Sequence, residues 1–171
     1  MAVSVVRWKV PSSLKQAEAS PFRDNWAEAL LTEIDRLREM GTWVEVETPN
    51  GAKTLGCKWV FAIKTKPDGT IERFKGRLVV QGFGQIEGID FDDTFATTAG
   101  RTTVRLFLAM VCSMSMHCHQ MDVTTAFLYG DVDKEIYTRQ PSGHDDGTGR
   151  VCNLLKSLYG LKRPPSIRSK K

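Results

Sequence analysis

Apolar residues recur at a helical spacing in the segment that follows Ser20. Four large ones are separated by three or four positions and so form one face of a helix: Trp26, Leu30, Ile34 and Leu37. Ser20 is a favourable N-cap, Pro21 suits a first helical turn, and Gly41 is typical of a helix end. The pattern therefore predicts an amphipathic helix that packs on a sheet.

A period of two replaces the helical spacing further along the chain. Residues 58–66 and 70–80 alternate between apolar and polar, and Asp68-Gly69 between them is a strong signal for a two-residue hairpin turn. Residues 102–116 are apolar nearly all round and predict a buried helix. We expect further strands at 42–49, up to Asp122, at 135–141 and at 151–155, with a short helical turn ending at Leu128. Helices and strands joined partly by hairpins indicate an α+β fold.

The hairpin register follows from how its side chains sort. If Pro67 pairs with Thr70, the apolar residues of both strands share one face: Trp59, Phe61, Ile63, Phe74 and Leu78. The other face carries five cations: Lys64, Lys66, Arg73, Lys75 and Arg77. A shift by one residue would mix the two sets, so this register is favoured. The cations either face water or bind phosphates, and the hairpin alone leaves both interpretations open.

Composition is that of a globular protein, with 41% hydrophobic and 26% charged residues. The chain contains no apolar run of membrane-spanning length and no signal-peptide pattern, so we expect an intracellular location. Residues 1–19 are expected to be a poorly ordered lead-in and residues 164–171 a basic tail. The last ten residues carry five cations and no acid, and removing them from the formal charge of +4 leaves −1 on the others. The four cysteines have no CxxC spacing and are expected to be free thiols.

Several acidic and histidine residues are candidate metal ligands. Asp90, Asp92 and Asp93 lie in a Gly-rich connection without regular spacing, and His117 and His119 supply two ligands where zinc needs more. The QGFGQ segment lacks the third glycine of a dinucleotide-binding motif. Asp122, at a predicted strand end, is either a helix cap or a ligand for a hard cation. The residues alone favour the cap.

The order of longer motifs adds a resemblance to a known family. NWAEALLTEIDRL, TWVEV, the segment from KWVFAIKTK to DFDDTFA, TTVR, HQMDVTTAFLYGDVDKEIYTRQP and VCNLLKSLYGLK resemble the reverse transcriptase of Ty1/copia-type retrotransposons. The resemblance covers residues 22–163. It implies that residues 20–163 form the fingers and part of the palm of a right-hand polymerase.

The resemblance also implies the roles of individual residues. Asp122 would be the first catalytic aspartate and a Mg²⁺ ligand, with the Val123 carbonyl as a second ligand. Phe127 would be the steric gate at the sugar 2′ position. Lys75 and Arg77, with Lys64 and Arg73 as further candidates, would contact the triphosphate of the incoming deoxynucleotide. The implied partners are an RNA or DNA template-primer and deoxynucleoside triphosphates, and the reaction is two-metal nucleotidyl transfer.

Departures from the family pattern modify that expectation. The family's two other catalytic aspartates lie in a Val-Asp-Asp hairpin that these 171 residues do not contain. Arg163–Arg168 diverges from the usual continuation of SLYGLK, and His144 stands where Phe is usual. We therefore expect a polymerase fragment, truncated before the second catalytic motif and inactive alone, with the remainder of the polyprotein missing and apolar palm surface uncovered. The alternatives are a non-catalytic nucleic-acid-binding fragment that uses the basic hairpin and, more remotely, a nuclease built on Asp90, Asp92 and Asp93.

Overall fold

Ten short elements make up the described part of the chain. A computed structural model describes residues 8–90, 99–121, 128, 130–132 and 134–162. The helices are α1 (Leu14–Glu18), α2 (Arg23–Glu39), the 3₁₀ turn Gly82–Gly84 and α3 (Arg101–Ser113). The strands are β1 (Trp43–Val46), β2 (Thr54–Leu55), β3 (Cys57–Thr65), β4 (Ile71–Val80), β5 (Tyr137–Arg139) and β6 (Val151–Leu154). The predicted α+β class is confirmed.

The strands form two small sheets. One has the order β1-β6-β5-β2, in which the β2–β5 pair is parallel and the other pairs are antiparallel. The other sheet is the antiparallel β3–β4 hairpin. In the described part of the chain, no helix is long and apolar enough to cross a membrane.

Helix α2 has the predicted apolar face but a different start. Its four predicted apolar residues are all buried, and Gly41, at φ +60°, follows the last turn as expected. The helix begins at Arg23 with Phe22 at the N-cap, so the prediction of Ser20 as the cap was wrong. The Ser20 hydroxyl instead accepts a hydrogen bond from the Phe22 N–H at 3.2 Å, closing a local turn before the helix. Before that turn, where we predicted no element, Ser13 caps α1 and the structure buries Ala17.

The hairpin register is confirmed, whereas the turn differs from the prediction. Trp59 pairs with Leu78, Phe61 with Gly76 and Ile63 with Phe74. The Lys66 N–H donates to the Thr70 carbonyl at 2.9 Å, and Thr65 pairs with Ile71. The loop therefore has three residues, 67–69, and a bulge follows in β4, so Pro67 does not pair with Thr70. Proline lacks an N–H for the ladder and suits a turn position, while the glycine at 69, at φ +83°, occupies the left-handed position.

The core lies between α2 and the apolar face of the hairpin. The Trp26 ring meets Phe61 and Phe74 edge to face, at centroid distances of 5.3 and 4.7 Å. Leu30 lies over Gly76, where an added Cβ would meet its Cδ2 at 2.8 Å. This close contact fixes the helix on one side of the hairpin and leaves the other side uncovered by it.

Three predictions for residues 102–128 are wrong or concern residues that the structure does not describe. Helix α3 forms as predicted, but it contains no buried residue, so the prediction of a buried helix was wrong for the described chain. Among the residues of α3, all but Val111 are exposed. Residues 116–121 have no regular structure, so the strand predicted up to Asp122 is not formed there. The helical turn expected to end at Leu128 lies outside the described residues except for Leu128 itself, which is buried.

Candidate phosphate-binding site

The side of the β3–β4 hairpin that faces away from α2 carries a row of cations. Arg73, Lys75 and Arg77 alternate along β4 and therefore point to the same side of the sheet. Across the hairpin, Lys64 pairs with Arg73, and two uncharged residues, Ala62 and Val60, pair with Lys75 and Arg77. We call this side, with Lys64, Arg73, Lys75 and Arg77, the basic face. The structure thus brings together all four hairpin cations predicted to contact a triphosphate, while Lys66 lies beyond the bulge, next to the loop.

Burial and the neighbouring cations of the basic face lower the pKa of Lys75. Partial burial lowers the pKa of its amine, and the positive charges of Arg77 and Arg73 lower it further. Arg73, Arg77 and Lys64 are exposed. Crowded cations on a rigid strand destabilise one another until an anion arrives, so this arrangement favours phosphate binding.

A buried carboxylate on α2 interacts electrostatically with two of these cations, Lys75 and Arg77. The Glu33 side chain is 6% exposed and forms an ion pair with Arg36 at 3.3 Å. Burial raises the pKa of Glu33, while the positive charges of Arg36, Lys75 and Arg77 and a hydrogen bond from the Leu78 backbone oppose that rise. Glu33 was not predicted from the sequence, although its position three residues after Leu30 and next to Ile34 places it on the buried side of the helix.

An aromatic ring from the end of the described chain contacts the basic face. The Arg77 guanidinium carbon lies 5.1 Å from the centroid of the Tyr159 ring, within the range of a cation–π interaction. The Val80 N–H donates to the Tyr159 carbonyl at 2.8 Å, so the backbone at Tyr159 is attached to the end of β4. This contact joins residues far apart in the chain, and no local pattern in the sequence indicates it.

The predicted catalytic and metal-binding residues are not part of this geometry. Asp122, Val123 and Phe127 lie outside the described residues, as do Asp92 and Asp93. Asp90 accepts a hydrogen bond from the Ile86 N–H at 2.8 Å and so stabilises its own turn.

The remaining candidate motifs have ordinary surroundings. His117 and His119 are exposed in a segment without regular structure, and QGFGQ contains a 3₁₀ turn. Within the residues that the structure describes, no group of three His, Cys, Asp or Glu side chains is arranged to hold a metal ion.

Comparison with known proteins decides the family. The profile of the family described as "Reverse transcriptase (RNA-dependent DNA polymerase)" matches residues 40–171. The chain belongs to the reverse transcriptase family. The chain is 43% identical over 157 residues to the Retrovirus-related Pol polyprotein from transposon TNT 1-94 of Nicotiana tabacum, a match that covers 91% of this chain and 12% of that protein.

Other relatives narrow the membership to the Ty1/copia type. The Pol polyprotein from transposon RE1 of Arabidopsis thaliana is 35% identical over 168 residues, covering 96% of this chain and 11% of the relative. The truncated transposon Ty1-A Gag-Pol polyprotein of Saccharomyces cerevisiae is 31% identical over 151 residues, a match that covers 82% of this chain and 12% of that protein. The resemblance inferred from the motifs is therefore confirmed. This reverse transcriptase segment spans about a tenth of the length of these curated relatives, and no solved structure matches it.

Proposed function

We propose that residues 20–163 form the fingers and the first part of the palm of a Ty1/copia-type RNA-directed DNA polymerase. In this proposal the basic face binds the triphosphate of the incoming deoxynucleotide. The observation that carries it is the two-sided hairpin. One side is buried under α2, while the other presents Arg73, Lys75 and Arg77 in a row with Lys64 opposite Arg73. A rigid strand that holds several cations is suited to a chain of phosphates.

The proposed reaction is nucleotidyl transfer onto a template-bound primer. The primer 3′-hydroxyl oxygen attacks the α-phosphorus of the deoxynucleotide, a new phosphodiester bond forms, and pyrophosphate leaves. The basic face would hold the β- and γ-phosphates and stabilise the charge that builds up on the leaving group. Phe127 would crowd the sugar 2′ position and so disfavour ribonucleotides.

The proposed metal ligands are Asp122 and Val123. A carboxylate and a backbone carbonyl are hard oxygen donors, which is the donor chemistry that Mg²⁺ prefers. When bound, Mg²⁺ supplies charge neutralisation at the attacking and leaving oxygens. These 171 residues contain one of the three metal-binding aspartates that the family resemblance implies. Polymerisation is therefore proposed for the assembled polymerase, and we expect these residues alone not to extend a primer. Robust extension that Asp122→Asn leaves intact would refute both the expectation and the role of Asp122.

Triphosphate binding is the test of the proposal. Isothermal titration of the 171-residue protein with a deoxynucleoside triphosphate should show binding that inorganic tripolyphosphate competes away. Lys75→Gln and Arg77→Gln should each weaken it about tenfold, because each removes one charge-assisted contact. Lys15→Gln and Arg23→Gln are matched controls, since both residues are exposed and lie on α1 and α2, away from the basic face. Equal losses in the control variants would contradict the proposal.

The same basic face also supports the rival function, which is nucleic-acid binding without catalysis. Its four cations carry no information about whether the phosphates belong to a nucleotide or to a duplex. Duplex binding that weakens steeply with salt, in a protein that does not bind deoxynucleoside triphosphate, would favour the rival. Triphosphate binding that resists competition by duplex would favour the polymerase role.

A further inference from the structure

The Tyr159 ring restricts the orientation of one side chain of the basic face, that of Arg77. The guanidinium carbon lies 5.1 Å from the ring centroid, and Arg77 itself is exposed. A free arginine side chain samples many rotamers, and holding it still on binding carries an entropy penalty. A ring that already holds the guanidinium reduces that penalty before the phosphate arrives.

The backbone that carries Tyr159 is held tightly against β4. The Val80 N–H donates to the Tyr159 carbonyl at 2.8 Å. Gly160 follows at φ +93°, and a Cβ there would collide with the Val80 carbonyl oxygen. Leu158, just before Tyr159, is 2% exposed. The ring is therefore presented from a close-packed segment rather than from a loose loop end.

The segment is attached on its other side as well. The Lys162 N–H donates to the Gln85 side-chain oxygen at 2.7 Å, and the Lys162 amine donates to the Gln85 carbonyl at 3.1 Å. A Cβ at Gly82 would collide with the Gly160 carbonyl, so the chain after β4 and the 157–162 segment approach each other closely. Residues 157–162 are thus packed between the end of β4 and the turn that follows it.

The chemistry of the contact suits an anion-binding arginine. A carboxylate partner would use the N–H donors of the guanidinium, which lie in its plane. An aromatic ring contacts the flat face instead and leaves those donors available for phosphate oxygens. The interaction therefore orients Arg77 without competing with the ligand.

We propose that Tyr159 is a positioning residue that holds the Arg77 guanidinium in the orientation that binds phosphate. The proposal rests on the proposed function, because it names a residue that acts on the same basic face. It also assigns a role to the 157–162 segment, which attaches the ring to β4.

The test is a double-mutant cycle with inorganic tripolyphosphate as the probe and the 171-residue protein as the receptor. Tyr159→Leu should weaken binding about two- to fivefold, the value expected for an exposed cation–π interaction. Tyr159→Phe keeps the ring and should restore most of the affinity. In an Arg77→Gln background, Tyr159→Leu should have no further effect. Tyr137→Leu is the matched control, because Tyr137 lies on β5 in the other sheet.

The outcomes separate the two proposals. If the unmodified protein does not bind tripolyphosphate, the proposed function fails. If it binds but Tyr159→Leu has the same effect with and without Arg77, or Tyr159→Phe loses as much as Tyr159→Leu, the role of Tyr159 is refuted. A second readout does not depend on binding: the NMR signal of the Arg77 Nε–H should carry a ring-current shift that Tyr159→Leu abolishes and Tyr159→Phe retains. An unchanged signal in Tyr159→Leu would also refute the positioning role.

Discussion

Replacing Trp26 tests how α2 supports the hairpin. The Trp26 side chain is 1% exposed and lies edge to face against Phe61 and Phe74. Truncation to Ala at such a site leaves a large cavity and should lower the free energy of unfolding by about 3–5 kcal/mol. The indole N–H is buried, and no acceptor among the described residues lies within hydrogen-bond distance. An unsatisfied buried donor destabilises the fold by about 1–3 kcal/mol.

Trp26→Phe therefore separates the two effects. Phenylalanine keeps one aromatic ring between Phe61 and Phe74 and removes the unsatisfied N–H. The stability lost with the packing of the second ring is therefore largely offset by the stability gained when the unsatisfied donor is removed. We expect the free energy of unfolding to change by less than about 1.5 kcal/mol, against a loss of about 3–5 kcal/mol for Trp26→Ala. Urea denaturation followed by circular dichroism measures both values. Equal losses in the two variants would refute the reasoning, because they would show that the indole N–H is satisfied or that the outer ring supplies the packing.

Three further predictions concern the charges and thiols. Burial raises the pKa of Glu33 above its ordinary 4.5, so the contribution of Glu33 to the free energy of unfolding should fall as the pH rises above that value. Urea denaturation at several pH values should show Glu33→Gln gaining stability relative to the unmodified protein from acidic to neutral pH, and a constant difference would contradict this. If the basic face binds duplex DNA, as the rival function requires, neutralising the three β4 cations to Gln should reduce the salt-dependence slope of that binding by about 2.7, which is about 40-fold in affinity between about 50 and 200 mM salt. An unchanged slope, measured by fluorescence anisotropy, would contradict the rival function. Cys112 and Cys118 are exposed, whereas burial raises the pKa of the Cys152 thiol to about 12. Mass spectrometry after brief alkylation should therefore find Cys112 and Cys118 labelled and Cys152 protected. Rapid labelling of Cys152 in the folded protein would contradict its burial.

The parts of the fold that sequence could predict are those governed by side-chain periodicity. The hairpin register followed from the need to keep Trp59 and Phe61 on a different face from Lys75 and Arg77, and the structure pairs the strands that way. The apolar face of α2 followed from its spacing in the same manner. The prediction of a two-residue turn was wrong because two local preferences competed. Asp68-Gly69 favours a two-residue turn, but Pro67 lacks the N–H needed to pair with Thr70, and this constraint outweighed that preference.

The candidate site was predictable only in part. Its four cations could be placed on one face because they all belong to one hairpin. The Tyr159 ring contacts the basic face from another element, and the charge of Glu33 on α2 acts on Lys75 and Arg77. Both interactions depend on how α2 and the 157–162 segment pack on β4. Tertiary packing of this kind leaves no periodic signal in the chain. The roles of Asp122, Val123 and Phe127 come from the family resemblance and remain predictions.

The balance of charges around β4 supports the proposal that the basic face binds phosphate. Burial and the charges of Arg77 and Arg73 disfavour the protonated Lys75 amine, and Glu33 acts in the opposite direction. Glu33 is itself disfavoured as a carboxylate by burial, and the cations offset that effect. Lys75 is thus disfavoured as a cation and Glu33 as a carboxylate, and each of the two charges reduces the disadvantage of the other. A surface selected for solubility alone would gain stability by spreading these charges apart. An anion bound at the face would favour the protonated Lys75 and relieve the repulsion among the β4 cations, which is the physical basis for proposing that this side of the hairpin binds phosphate.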